Sequence, residues 1–129
     1  MICVRAPTEL ACSPGYDDLK QAFIDYKSGR CLPDIIGKDA PYHRPQSAAD
    51  ALLEHIHLSH SASGWTARHS QAKRTSDKHL VYCRHYFSQN NYLLIAVLDP
   101  NAHELADKVT FMCGLVEVAE KFHAIDYSA

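Results

Sequence analysis

Two runs, His79-Leu-Val-Tyr-Cys83 and Tyr92-Leu-Leu-Ile-Ala-Val-Leu98, are the richest β-forming stretches of the chain, and the segment between them holds Ser88-Gln-Asn-Asn91. Branched and aromatic side chains suit a pleated, half-buried surface, and a short polar connection between two such runs predicts an antiparallel hairpin. Pro100 ends the second run. A third run, Glu54-His-Ile-His-Leu58, alternates Ile56 and Leu58 with His55 and His57 at the period of two that marks a strand. This pattern puts Ile56 and Leu58 toward a core and His55 and His57 outward, on one face.

The hairpin and third strand need helices to cover them. After the turn signal Ser13-Pro14-Gly15, residues Tyr16, Leu19, Phe23 and Tyr26 recur at three and four, which predicts a helix over 16–28 with Gly29 as its stop. Leu105, Val109, Met112, Val116, Ala119 and Phe122 predict a C-terminal helix from Glu104, which Gly114 weakens. Residues 2–5 suit a short first strand. The stretch 31–48, with Pro33, Pro41, Pro45 and Gly37, reads as an ordered loop, residues 47–53 as a short helical approach, and 59–77 as a long polar loop. The resulting expectation is an α+β domain spanning 1–129: a small antiparallel sheet of three to four strands, with N-terminal and C-terminal helices on one face. At 129 residues and 47% apolar composition the chain has enough material for one core.

Charge and cysteine usage narrow the class. The formal charge of −2 gives no global sign of nucleic-acid or membrane binding. Between His60 and His85, however, Arg68, Lys73, Arg74, Lys78 and Arg84 stand against a single acid, Asp77, which suggests a local phosphate-binding surface. Cys3, Cys12, Cys31, Cys83 and Cys113 lie at least nine positions apart, so neither a Cys-x-x-Cys knuckle nor a disulfide framework is indicated, and a reducing cytoplasm fits. No run approaches the roughly 18 apolar residues of a membrane span, and the start lacks a signal-peptide pattern; a soluble, unprocessed chain is expected.

Seven blocks, Phe23-Ile-Asp-Tyr-Lys27, Leu32-Pro-Asp-Ile-Ile-Gly-Lys-Asp-Ala-Pro-Tyr42, His55-Ile-His-Leu58, Arg74-Thr-Ser-Asp77, His79-Leu-Val-Tyr-Cys83, Leu93-Leu-Ile-Ala-Val-Leu98 and His103-Glu-Leu-Ala106, resemble in the same order the YafO family of type II toxin–antitoxin toxins. The resemblance covers roughly residues 16–123. It implies a ribosome-dependent endoribonuclease that cuts messenger RNA during translation, is neutralised by a small cognate antitoxin, and needs no cofactor. A looser likeness to RelE-type toxins, in His79–Cys83, Leu93–Leu98 and the polar run 99–103, implies a RelE-like fold. Where RelE-type sites carry mostly arginine and lysine, this chain carries mostly histidine.

Metal-independent RNA cleavage uses the 2′-hydroxyl as nucleophile and requires a base, an acid and a counter-charge for the phosphoryl oxygens. Histidine suits proton transfer near neutrality and arginine suits the phosphate. Within the resemblance, His103 is the expected acid, His57 or His79 the base, and Arg74 the phosphate clamp. Lys73, Lys78, Arg84, His55, Tyr82 and Asp77 are expected RNA contacts, although alternation turns Tyr82 toward the core and Asp77 suits either orienting a histidine or forming a turn. His60, His69, His85 and His123 are expected in ordinary surface or core roles. Two alternatives remain open: a zinc site built on the His-x-His pair with His79 or His103, and a non-catalytic protein that only binds an antitoxin.

Overall fold

The expected hairpin forms the middle of the sheet. A computed structural model describes residues 1–128. The elements run β1 (Cys3–Arg5), α1 (Thr8–Ala11), α2 (Tyr16–Lys27), β2 (Ile36–Pro41), α3 (Gln46–Asp50), β3 (Glu54–Leu58), β4 (His79–Arg84), β5 (Asn91–Leu98), α4 (Ala102–Ala106) and α5 (Val109–His123), with a 3-10 turn at Gln71–Lys73. The sheet has five strands in the order β1-β5-β4-β3-β2. Its pairings are antiparallel except that β1 runs parallel to β5. The architecture is α+β, with one strand more than the three to four expected and a mixed rather than purely antiparallel sheet.

The additional strand is β2, which the prolines and Gly37 disguise as a loop. It lies at the sheet edge, with Pro41 as its last residue, where a missing N–H costs little. An irregularity between Ile36 and Asp39 removes the period-two pattern that would have marked it. The C-terminal helix also departs from expectation. Lys108 is extended and separates α4 from α5, so Leu105 and Val109 keep their spacing across a break and Val109 is exposed.

Helices cover both faces, not one. On one face α2 lays Phe23 against Ile36, Ile56, Leu80, Tyr82 and Leu94. The Phe23 ring meets Tyr82 and Tyr92 edge-on at 5.1 and 5.3 Å, an arrangement worth about 0.5–1.5 kcal/mol per pair beyond burial. On the other face Met112, Val116, Ala119 and Phe122 of α5, with Ala48 and Ala102, pack on Leu53, Val81, Cys83, Leu93 and Ile95. The near-continuous apolar sequence of β4 and β5 reflects this, since a strand buried on both sides has no solvent face to keep polar.

The α2 face is pinned by Asp39 of β2. Its carboxylate accepts from the Tyr82 and Tyr26 hydroxyls, each at 2.7 Å, and from Lys27 Nζ at 3.1 Å. Burial and this carboxylate drive the Tyr82 hydroxyl well above its ordinary range and push Tyr26 up to about 12. Gly37 lies where the 59–78 connection crosses β2. A Cβ there would collide with the Arg74 carbonyl oxygen and stand 2.9 Å from both the His57 carbonyl oxygen and the Trp65 ring.

Gly37→Ala is therefore expected to destabilise the protein by about 2 kcal/mol or more, read as a lower urea midpoint. Gly114→Ala, on the open surface of α5 with no neighbour within 4 Å, is expected to raise the midpoint by up to about 1 kcal/mol.

Candidate functional site

Strands β3 and β4 pair with His57 opposite His79 and His55 opposite Val81. Because alternate residues share a face, His55, His57 and His79 all project toward the α3–α5 side. His103, in the first turn of α4, completes the group. Ring centres lie 4.2 Å apart for His57 and His79, 4.7 Å for His79 and His103, and 5.9 Å for His57 and His103. One donor nitrogen from each of these three residues lies within 4.8 Å of the other two. His55 adjoins His79 at 4.9 Å and stacks on the Tyr42 ring at 4.3 Å.

The expectation that His55 and His57 face outward does not hold. His57 is 5% exposed and His79 1%, His55 is half-buried, and only His103 is open to solvent. The cause is the second helical layer, which covers the face that alternation alone would leave to water. Burial, then the neighbouring histidines, pushes His79 down to about 4. Burial likewise takes His55 to about 4 and lowers His57. At neutral pH all three are uncharged imidazoles.

Ser76 sets the hydrogen bonding of the pair. Its hydroxyl donates to the Leu58 carbonyl at 2.6 Å and accepts from the Lys78 N–H at 3.2 Å, which locks it across the ends of β3 and β4. His79 Nε2–H donates to the Ser76 carbonyl at 3.0 Å. Nδ1 of His57 lies 2.9 Å from the Ser76 N–H and 3.0 Å from the same carbonyl oxygen. A bare Nδ1 accepts from the N–H and a protonated one donates to the carbonyl, so either tautomer of His57 has a partner.

The other buried histidines are different. His123 donates from Nε2 to the Ala51 carbonyl at 2.7 Å and accepts at Nδ1 from the Tyr86 N–H at 3.2 Å. His85 donates to the Ile125 carbonyl at 2.8 Å and accepts from the Phe87 and Ser88 N–H groups. Both are fully satisfied core residues. In the cluster, by contrast, Nδ1 of His79 and of His55 is buried with no hydrogen-bond partner among the described residues. A buried polar atom left unpaired costs free energy and calls for a functional account.

Asp77 reaches the cluster through the main chain. Its Oδ1 accepts the His103 N–H at 3.0 Å and its carbonyl accepts the Ala102 N–H at 3.2 Å, so it fastens the start of α4 beside β4. The His103 N–H, with the Asn101 N–H beside it, holds its carboxyl below the ordinary range. Asp77 thus positions His103 through the main chain.

Several expected contacts lie elsewhere. Arg74 is 4% exposed; its Nε and Nη1 donate to the carbonyls of His69, Pro33 and Ile36 at 3.1, 3.2 and 3.0 Å. It is a loop staple: burial and these three backbone bonds keep the guanidinium from the open position that a phosphate clamp needs. Tyr82 is fully buried on the α2 face and bonded to Asp39, so it offers no surface for base stacking. Arg84 is exposed at the far end of β4, about 17 Å along the strand from His79. Lys78 lines a groove with Leu10 and Tyr16 on the opposite face, and Lys73 is exposed on the 3-10 turn. Sequence reasoning missed Ser76 and Lys38. The Lys38 ammonium, exposed on β2, is near enough to help lower His55 and His57.

Residues 24–124 match the profile of the family described as "Toxin YafO, type II toxin-antitoxin system". The chain is 38% identical over 110 residues to the "mRNA interferase toxin YafO" of Escherichia coli (strain K12), covering 82% of this chain and 83% of that protein. No solved structure matches. Among the described residues, no helix is long and apolar enough to cross a membrane.

Two outcomes test the geometry. Arg74→Ala is expected to cost about 3 kcal/mol or more in urea unfolding, because it strips buried carbonyls of a charged donor; a free phosphate clamp would leave stability unchanged. His79 binds a proton at its ordinary 6.5 when unfolded and only near 4 when folded. Its contribution is complete above pH 6.5 and is lost as pH falls toward 4, on the order of 2–3 kcal/mol. Urea midpoints are expected to drop across that window, and His79→Asn is expected to flatten the drop.

Proposed function

The chain belongs to the YafO family of type II toxin–antitoxin toxins, and from that premise we propose that it is an endoribonuclease that cleaves messenger RNA on the ribosome through its histidine cluster. The observation that carries the mechanism is the meeting of His57, His79 and the exposed His103 within 4.8 Å at one end of the sheet.

The reaction begins when a base takes the proton of a 2′-hydroxyl, which then attacks the adjacent phosphorus. It ends when an acid protonates the departing 5′ oxygen. His57 is the base. It is neutral, and Ser76 offers a partner to Nδ1 whether or not that nitrogen carries the proton. The proton can therefore be accepted without loss of a hydrogen bond. His79 suits this step less well, being 1% exposed with Nε2 committed to the Ser76 carbonyl; it packs against His57 and orients it. His103, exposed and held by Asp77, is the acid. Lys38 supplies the counter-charge for the phosphoryl oxygens.

The charge distribution supports ribosome dependence. A chain of net charge −2 with one lysine beside its site gains little affinity for free RNA from counterion release. A message already threaded through the ribosome arrives at high local concentration and fixed geometry, which supplies the positioning that the toxin's own surface lacks. The cognate antitoxin is the second partner, silencing the toxin when growth continues.

Induction of the wild type is expected to arrest growth and to leave ribosome-bound messages cut. His103→Ala is expected to lower cleavage by about 100-fold or more with the urea midpoint unchanged, and Lys38→Ala by a smaller factor. Intact messages in a wild-type reaction programmed with ribosomes would instead favour a protein that only binds its antitoxin.

A further inference from the structure

We propose that His57, His79 and His103 also form a binding site for one divalent transition-metal ion of the zinc class, and that its occupation holds the toxin inactive. The inhibitory half rests on the catalytic reading above; the binding half stands on geometry alone.

Three imidazoles are a common donor set for zinc, with metal–nitrogen bonds of about 2.0–2.1 Å and donor nitrogens roughly 3.4 Å apart in a tetrahedral site. Here the donors already lie within 4.8 Å of one another. The remaining closure falls to His103, the exposed member, which sits on a five-residue helix. The fourth position is left for water.

Supporting interactions follow the pattern by which metal-bound histidines are oriented, one ring N–H on a backbone carbonyl and the other nitrogen free. The Ser76 carbonyl lies 3.0 Å from a ring nitrogen of both His57 and His79, and its two lone pairs serve both. When Nδ1 of His57 donates to it, Nε2 becomes a lone pair. Nδ1 of His79 is buried and unpartnered. His85 and His123, equally buried, have both nitrogens bonded and no such capacity. Burial favours the neutral form of His57 and His79, the form that ligates a metal.

Charge acts in both directions. The Asp77 carboxylate, bonded to the His103 N–H, offsets part of the ion's charge, and the Lys38 ammonium opposes it. Hard ions such as magnesium, which prefer oxygen donors, are excluded by the all-nitrogen set. A bound ion consumes the lone pairs of the base and the acid together, so it blocks proton transfer at both ends of the reaction.

The test is a titration of chelator-treated full-length toxin with Co²⁺, read by absorbance, and with Zn²⁺, read by calorimetry, in the absence of RNA. One ion per chain and a tetrahedral cobalt spectrum are expected. His103→Ala is expected to weaken binding by at least ~10–100-fold, with His79→Asn as a second variant, whereas His43→Ala, an exposed histidine outside the cluster, leaves it unchanged. Toxin loaded with one equivalent of Zn²⁺ and freed of excess is expected not to cleave ribosome-bound message until chelator is added. Absence of saturable binding, or binding that His103→Ala retains, overturns the site while cleavage by metal-free toxin continues to support the ribonuclease reading. Binding at the trio with cleavage undiminished overturns the inhibitory role. Metal-free toxin that binds zinc yet never cleaves brings down the ribonuclease reading, and with it the inhibition, but leaves the binding site standing.

Discussion

The buried guanidinium of Arg74 holds three carbonyls, of His69, Pro33 and Ile36, with no carboxylate in ion-pairing range among the described residues. Its own carbonyl accepts the Lys38 N–H at 2.9 Å. One side chain therefore clamps the long 59–78 connection to the edge strand β2 and to the turn that precedes it. The placement of Ser76 follows two residues later, and from Ser76 follows the orientation of His57 and His79. A guanidinium is suited to this post because its planar fork reaches several acceptors at once and never loses its charge. The clamp also explains Gly37, whose missing side chain is what lets the connection lie close enough for the bonds to form.

The histidine cluster works against the stability that the clamp supplies. Apolar residues at positions 55, 57 and 79 would extend the α5-side core toward the sheet end, and two imidazole nitrogens there go without partners. Such local conflict with an otherwise consistent core is where function is to be sought. The contrast with His85 and His123 sharpens the point, because the same residue type at similar burial has both ring nitrogens hydrogen-bonded, at 2.7–3.2 Å, when its task is only to fill space.

Strand β3, hairpin β4–β5, α2 and the conjunction of His57, His79 and His103 were legible because each rests on local periodicity or on neighbour pairing that alternation dictates. What escaped had non-local causes. β2 is a strand only because β3 is beside it, and its Gly-Lys-Asp-Ala-Pro sequence has no apolar alternation to announce that. The break before α5 is invisible to a pattern that keeps its spacing through Lys108. Arg74 reads as a phosphate ligand from its neighbourhood of basic residues, since a sequence does not reveal that three carbonyls from distant segments will converge on it. Tyr82 was placed on the core side by alternation, and the Asp39 network that receives its hydroxyl shows why a tyrosine rather than a phenylalanine stands there.

The cluster divides into a part built on the sheet and a part built on a short exposed helix. His57 and His79 project from paired central strands and are tied to one peptide, so their separation is set by sheet geometry and costs nothing to maintain when substrate arrives. His103 stands on a short exposed helix whose attachment is the Asp77 carboxylate and carbonyl. An in-line displacement needs base and acid on opposite sides of the phosphorus, so one of the two must adapt to the depth at which the phosphate settles. On the proposed roles, the architecture leaves that adjustment to His103, the residue on the short exposed helix. Asp77, which holds the start of α4 by its carboxylate and carbonyl, links the sheet-borne half of the site to the helix-borne one.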